Sequence, residues 1–213
     1  MKNQITIFGA TGMVGKRLVE RATKRGYKVK ILVRSIENLG WLDSGVEIIE
    51  GNYFDHSKLK EAMEGSVAIL STIGPPIKAK SKDVDETKYH KSLKFITETM
   101  PAEGVEKLIS IAGAGIKYPG EKLSFSRKII RLMLKMMAKQ LINVKDGELE
   151  ILYNSTINFV NIRPPMVKDI EGDLKVDANN VVGMKVSLNQ LCDFMLDNID
   201  NNSWNRRFPI VGS

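Results

Sequence analysis

The sequence predicts an α/β fold: a doubly wound parallel sheet with helices on both faces. Three observations point there. Short runs rich in Val, Ile, Leu and Phe alternate with longer helical patterns, a glycine turn follows the first run directly, and Pro or Gly punctuates the ends of later runs. The strand-length runs are Gln4–Phe8, Lys28–Val33, 46–50, 67–72, Lys107–Ile111 and 158–162. Helical candidates lie near 13–25, 57–63, 83–100 and 143–154, and Val14, Leu18 and Ala22 mark one apolar face of the first. Strand runs this uniformly apolar suit a sheet covered on both sides. The stretch 164–186 is too irregular to assign.

The chain of 213 residues, 43% apolar and 27% charged, is ordinary globular material and reads as one domain over 1–213. Its one cysteine, Cys192, has no intramolecular partner, which suits a reducing, cytoplasmic setting. Met1-Lys2-Asn3 precedes only a short apolar run ending in glycine, unlike a secretory leader. No apolar stretch approaches the roughly 20 residues that span a bilayer, so stable membrane insertion is not expected. The net charge of +7 raises the question of nucleic acid, but the basic residues are dispersed and form no tail or zinc-finger pattern. An anionic cofactor and a solvated basic surface account for the charge without nucleic acid.

Gly9-Ala10-Thr11-Gly12-Met13-Val14-Gly15 sits between the first strand and the first helix. Glycines allow a tight strand-to-helix turn and close backbone approach to a pyrophosphate, and the helix N-terminus offers it free N–H groups. The strand–turn–helix context makes this a Rossmann-type dinucleotide loop, although its first interval is one residue longer than the commonest form. About twenty residues on, where NAD-selective sites carry an acid for the ribose hydroxyl, the chain has Val33-Arg34-Ser35. A guanidinium pairs with a 2′-phosphate, and Ser35 can add a hydrogen bond, so NADP(H) is favoured over NAD(H).

These motifs recur in order with Gly51-Asn52-Tyr53-Phe54-Asp55, Ser71-Thr72-Ile73-Gly74-Pro75, Ser110-Ile111-Ala112-Gly113-Ala114 and Asn161-Ile162-Arg163-Pro164-Pro165. Together they resemble the atypical short-chain dehydrogenase/reductases, in the NAD(P)H-binding group of NmrA-like proteins and biliverdin-IXβ and flavin reductases. The run 187–195 is similar to that group's last helix. The resemblance implies that Asn52 and Tyr53 border the adenine, and that Thr72, Ile73 and Gly74 lie along the ribose and nicotinamide.

Many such relatives carry a Tyr-x-x-x-Lys pair for proton transfer. The one literal match, Tyr118 to Lys122, contains Pro119 and Gly120 and cannot keep both side chains on a helix face. The resemblance instead places the lysine at Lys145 and puts Leu141, which donates no proton, at the tyrosine position. Ser110 fills the serine position without the usual second hydroxyl beside it. Two readings remain open. One is a reductase passing hydride from NADPH to a small conjugated acceptor, with the proton from solvent. The other is an NmrA-like redox sensor acting through a protein partner. The compact chain suits the reductases better than the longer sensors, and it leaves no lobe for an epimerase or dehydratase substrate.

The segment 125–139 is basic and methionine-rich, and Arg127, Arg131, Lys135 and Lys139 fall four apart in a single stripe. Such a helix can lie on a membrane or dock a partner or a second copy. The preferred reading is a surface helix whose methionines pack on the core or roof the acceptor pocket. His56 follows Asp55 in a loop before a helix and His90 sits among Lys88 and Lys91, neither with a second ligand in sight, so no metal is expected.

Overall fold

A computed structural model describes residues 3–37, 39–76 and 83–213. Met1 and Lys2, in the segment read as a non-secretory start, lie outside them. Six parallel strands form the main sheet: β1 (Gln4–Phe8), β2 (Lys28–Val33), β3 (Glu47–Glu50), β4 (Ala68–Ser71), β5 (Lys107–Ile111) and β6 (Phe159–Ile162). Their order is β3-β2-β1-β4-β5-β6, so the winding reverses between β1 and β4 and opens a crevice at the strands' C-terminal ends.

Both faces of the sheet are buried, and the side chains divide between two apolar layers with the period of two that a strand imposes. Ile5 and Ile7 of β1, Val29 and Ile31 of β2, and Ala68 and Leu70 of β4 meet α1 (Met13–Lys24) and α6 (Leu188–Asp197). Phe8, Leu32 and Ile69 face the other layer, with α2 (His56–Met63), α3 (Glu86–Thr99) and α5 (Lys139–Asn154). In α1 the expected stripe of Val14, Leu18 and Ala22 is the buried one. Arg21 and Arg25 then stitch α1 to α6 through Asp193 and Asp197.

Two segments depart from expectation. α5 starts at Lys139 rather than 143, directly after α4 (Phe125–Met137), whose last turn ends at Ala138 with φ −149°. The unassigned stretch holds β7 (Met166–Lys168) and β8 (Lys175–Asp177), and β9 (Lys185–Ser187) closes it. β7 pairs with β9, and β8 pairs with the terminal β10 (Ile210–Gly212). Strands of three residues carry too little periodicity to read from sequence.

The loop between β5 and α4 is held by a buried Arg–Glu–Arg group. Glu121 pairs with Arg127, and with Arg163 at 2.6 Å, and both arginines are fully buried. Arg127 also donates to the carbonyls of Ala114 and Ile116, and Arg163 to that of Phe208. Burial alone would raise the Glu121 carboxyl, but the Arg127 hydrogen bond and the Arg163 charge outweigh it and hold the group below its ordinary value.

Removing that one negative charge leaves two buried guanidiniums facing each other. Glu121→Gln is therefore expected to lower the unfolding free energy by about 3–5 kcal/mol in urea denaturation at pH 7. Because the folded-state pKa is depressed, the stabilisation is complete above the ordinary glutamate value of 4.5 and is lost as pH falls through the folded pKa. As the pH falls below 4.5 the wild type should lose stability more steeply than Glu121→Gln; equal slopes would remove Glu121 as the source.

Candidate functional site

The three glycines between β1 and α1 serve different ends. Gly9 sits at φ +82°, and a β-carbon there would lie 2.5 Å from Thr72 Oγ1. At Gly15 a β-carbon would lie 2.0 Å from the Gly9 carbonyl oxygen. Both are required by the protein's own packing. At Gly12 the nearest atom would be that same oxygen at 3.4 Å, and φ is −76°. Among the described residues no neighbour demands glycine at this position.

Gly12 leads into an uncapped helix. The side chains of Asp55, Asp85 and Ser187 cap α2, α3 and α6, whereas α4 and α5, like α1, have no side-chain cap. α1 begins at Gly12 with no side-chain cap and no acid in its first turn. Its leading N–H groups and positive dipole end face the crevice unneutralised. Val14 packs its side chain in the core, so it can offer a ligand only its backbone, whereas Thr11 and Met13 are exposed. The residues present fit a dinucleotide pyrophosphate.

Arg34 and Ser35 follow β2 and are exposed on the same edge of the sheet. The Ser35 hydroxyl accepts from the Glu37 N–H at 3.1 Å, which shapes the turn carrying Arg34. Asn52, after β3, accepts the Phe54 N–H at 3.0 Å through Oδ1, leaving that oxygen a second lone pair. Tyr53 follows Asn52 and packs inward. Its ring is buried edge-on between Phe8 and Phe54, and burial pushes its hydroxyl well above the ordinary pKa. Sequence reasoning missed Tyr89, which meets Phe54 edge-on at 4.9 Å and lies within electrostatic reach of Arg34. An aromatic one turn into α3 carries no distinguishing pattern in the sequence.

On the far side of the switch point, Thr72 latches the loop by donating to the carbonyls of Phe8 and Gly9, each at 3.2 Å. Ile73 gives its carbonyl to Lys145 Nζ at 2.6 Å. Lys145 is buried on α5 and also pairs with Glu148 at 2.7 Å. A β-carbon on Gly74 would stand 3.2 Å from Lys145 Cε and 3.8 Å from Leu141 Cδ1. Lys145 and Leu141 thus face the 72–74 loop together from one side of α5. Glu148 was not anticipated, although its i, i+3 spacing from Lys145 is a helical pairing signal.

Ser110 lies at the C-terminal end of β5, beside Ser71 in register, and is buried. Its hydroxyl accepts from Asn161 Nδ2 at 2.8 Å. Tyr118 stacks on Phe208 and Tyr153 in a segment without helix, so it is not paired across a turn with Lys122. Cys192 is buried and its thiol is pushed up to about 12 by desolvation. His56 stacks on Phe95 at 4.4 Å, and His90 bonds the Val144 carbonyl at 3.0 Å.

The sequence model of an NAD(P)H-binding family matches residues 9–202, and the chain belongs to that family. Its curated relatives align over a smaller part. A phenylcoumaran benzylic ether reductase of Pyrus communis is 36% identical over 84 residues, covering 34% of this chain and 27% of the relative. A sterol-4-alpha-carboxylate 3-dehydrogenase of Mus musculus is 26% identical over 115 residues, 54% of this chain and 31% of the relative. The chain therefore spans about a quarter to a third of these relatives.

Solved structures match the whole fold. A short-chain dehydrogenase/reductase of Veillonella parvula in complex with NADP superposes with TM-score 0.78 at 14% identity, covering 100% of this chain and 95% of that one. An anaerobillin reductase of Escherichia coli O157:H7 gives TM-score 0.78 at 17% identity, over 98% and 96%. The Rossmann-type fold is thereby established.

The glycine geometry separates fold from binding. Gly12→Ala is expected to cost no more than about 1 kcal/mol of stability while weakening NADPH at least tenfold in calorimetry, because the methyl stands in the anion's path. Gly15→Ala should instead lower the melting temperature or abolish soluble protein. If the two variants behave alike, the division of labour within the loop is wrong.

Proposed function

We propose that this protein is an NADP(H)-dependent reductase that passes hydride from NADPH to a flavin, a quinone or a similar flat conjugated acceptor. The observation that carries the reading is the pairing of an intact dinucleotide loop with Leu141 at the place facing Gly74 where a proton donor would stand. The reductase names among the curated and structural relatives support it.

In this reading Gly9, Thr11, Gly12, Met13, Val14 and Gly15 receive the pyrophosphate, and Arg34 with Ser35 receives the 2′-phosphate. Asn52 and the Tyr53 backbone border the adenine. Thr72, Ile73 and Gly74 flank the nicotinamide side. The bound nicotinamide supplies a hydride, and the protein's contribution is to place it and exclude competing reactions. Lys145 holds the 72–74 loop against α5 through the Ile73 carbonyl, with its charge balanced by Glu148. Ser110, bonded to Asn161, shapes the floor between β5 and β6. Both are positioning residues here. The acceptor takes the hydride, and solvent gives the accompanying proton, so no side chain changes protonation state. A cytoplasmic setting supplies the reduced cofactor and keeps Cys192 a thiol.

The second reading is a non-catalytic, NmrA-like redox sensor. The engagement of Lys145 by Glu148 and by the Ile73 carbonyl favours it, since the ammonium is held in a structural pairing.

The test is NADPH consumption at 340 nm with FMN, riboflavin, simple quinones and biliverdin as acceptors. Saturable turnover with one of them is expected. Tight NADPH binding with no turnover on the panel would replace the reductase with the sensor. Arg34→Ala should weaken NADPH by about 10- to 100-fold, the worth of a charged hydrogen bond, and leave NADH nearly unchanged. Equal losses for both cofactors would remove Arg34 from 2′-phosphate recognition.

A further inference from the structure

The helix α4 (Phe125–Met137) is turned opposite to the expected basic stripe. Arg127, its one buried residue, and Arg131 point inward, the first to Glu121 and the second to the Gly115 carbonyl and Asp146. The outward side is apolar: Phe125 is 79% exposed, Met136 74%, Met137 69% and Leu132 60%, with Met133 and Ile129 beside them. Of the two roles expected for the methionines, packing on the core is not the one they take. At 100° per residue these six side chains fall within a single face. A contiguous apolar face on a soluble body calls for a partner.

The charges around this face select the partner. Residues 122–139 contain no acid. With Arg127 and Arg131 neutralised inside, Lys122, Lys128, Lys135 and Lys139 remain exposed, and among the described residues they form no ion pair. Lys128 and Lys135 flank the apolar face along one edge of the helix. A second copy would bring lysines against lysines, whereas an anionic bilayer satisfies both the apolar face and the cations. We propose that α4 is a membrane-surface element that lays its apolar face into the interface of an anionic bilayer, with Lys128 and Lys135 on the lipid headgroups. Among the described residues no helix is long and apolar enough to cross a membrane, so the contact is peripheral. The inference does not depend on the redox reading.

Flotation of the full chain with vesicles tests it. Recovery is expected with 70:30 phosphatidylcholine:phosphatidylglycerol vesicles, not with phosphatidylcholine alone, and should fall as salt rises. Lys128→Glu/Lys135→Glu should reduce partition at least tenfold, since each lysine contributes about a fivefold factor at an anionic surface. Met133→Ser/Met136→Ser should reduce it comparably. All four side chains are exposed, so both variants should melt with the wild type. Absence of recovery, equal recovery on the two lipids, or recovery unchanged in both variants would overturn the proposal. So would a wild-type dimer that Met133→Ser/Met136→Ser dissociates while vesicles capture nothing, because the face would then belong to a second copy.

Discussion

The site rests on one close passage of backbone, where the first turn of α1 folds back over the end of β1. At Gly15 there is no room for a β-carbon, which would lie 2.0 Å from the Gly9 carbonyl oxygen. That contact sets the angle at which α1 leaves the sheet and so aims its uncapped N-terminus at the crevice. Thr72 reaches across the switch point to hold the same Gly9 carbonyl, and Lys145 holds the next residue, Ile73. A continuous chain of hydrogen bonds thus ties α1, the end of β4 and α5 into one edge. The loop after β1 and the 72–74 loop are thereby positioned relative to each other by the protein itself.

A second polar group stabilises the opposite end of the crevice. Glu121 between Arg127 and Arg163 fastens the loop after β5 to α4 and to β6. Arginine suits this place because its five donors satisfy two or three carbonyls along with the carboxylate, which a lysine could not do. The cost of burying these charges is met by full hydrogen bonding, and the anchoring leaves α4 with its apolar side outward. One inward network therefore explains both the rigidity of the loop and the exposure of the methionines.

Much of this was legible in the sequence for physical reasons. The strand runs are apolar on both faces, so the six parallel strands and the glycine loop could be read from pattern alone. Gly12 and Gly15 look identical in sequence; only the fold shows that Gly15 is demanded by packing against the Gly9 carbonyl and Gly12 is not. The i, i+4 spacing in α4 correctly placed Arg127 and Arg131 on one face, but not which way that face turns. Their inward direction depends on Glu121 and Asp146, which are set by the loop and by α5. The burial of Tyr53 was illegible for the same reason: its neighbours Phe8 and Phe54, not its position after β3, decide that the ring is buried. The short strands β7 to β10 pair over long sequence separations and leave almost no local signal.

The central claim is that the N-terminal turn of α1 is the anchor for the dinucleotide. Amide hydrogen–deuterium exchange with and without saturating NADPH tests it most directly. The account predicts slowed exchange confined to Thr11–Gly15, the turn at Arg34, Asn52–Tyr53 and the 72–74 loop, with the α3 and α5 surfaces far from the crevice unchanged. Protection absent from Gly12–Gly15, while NADPH demonstrably binds, would contradict it.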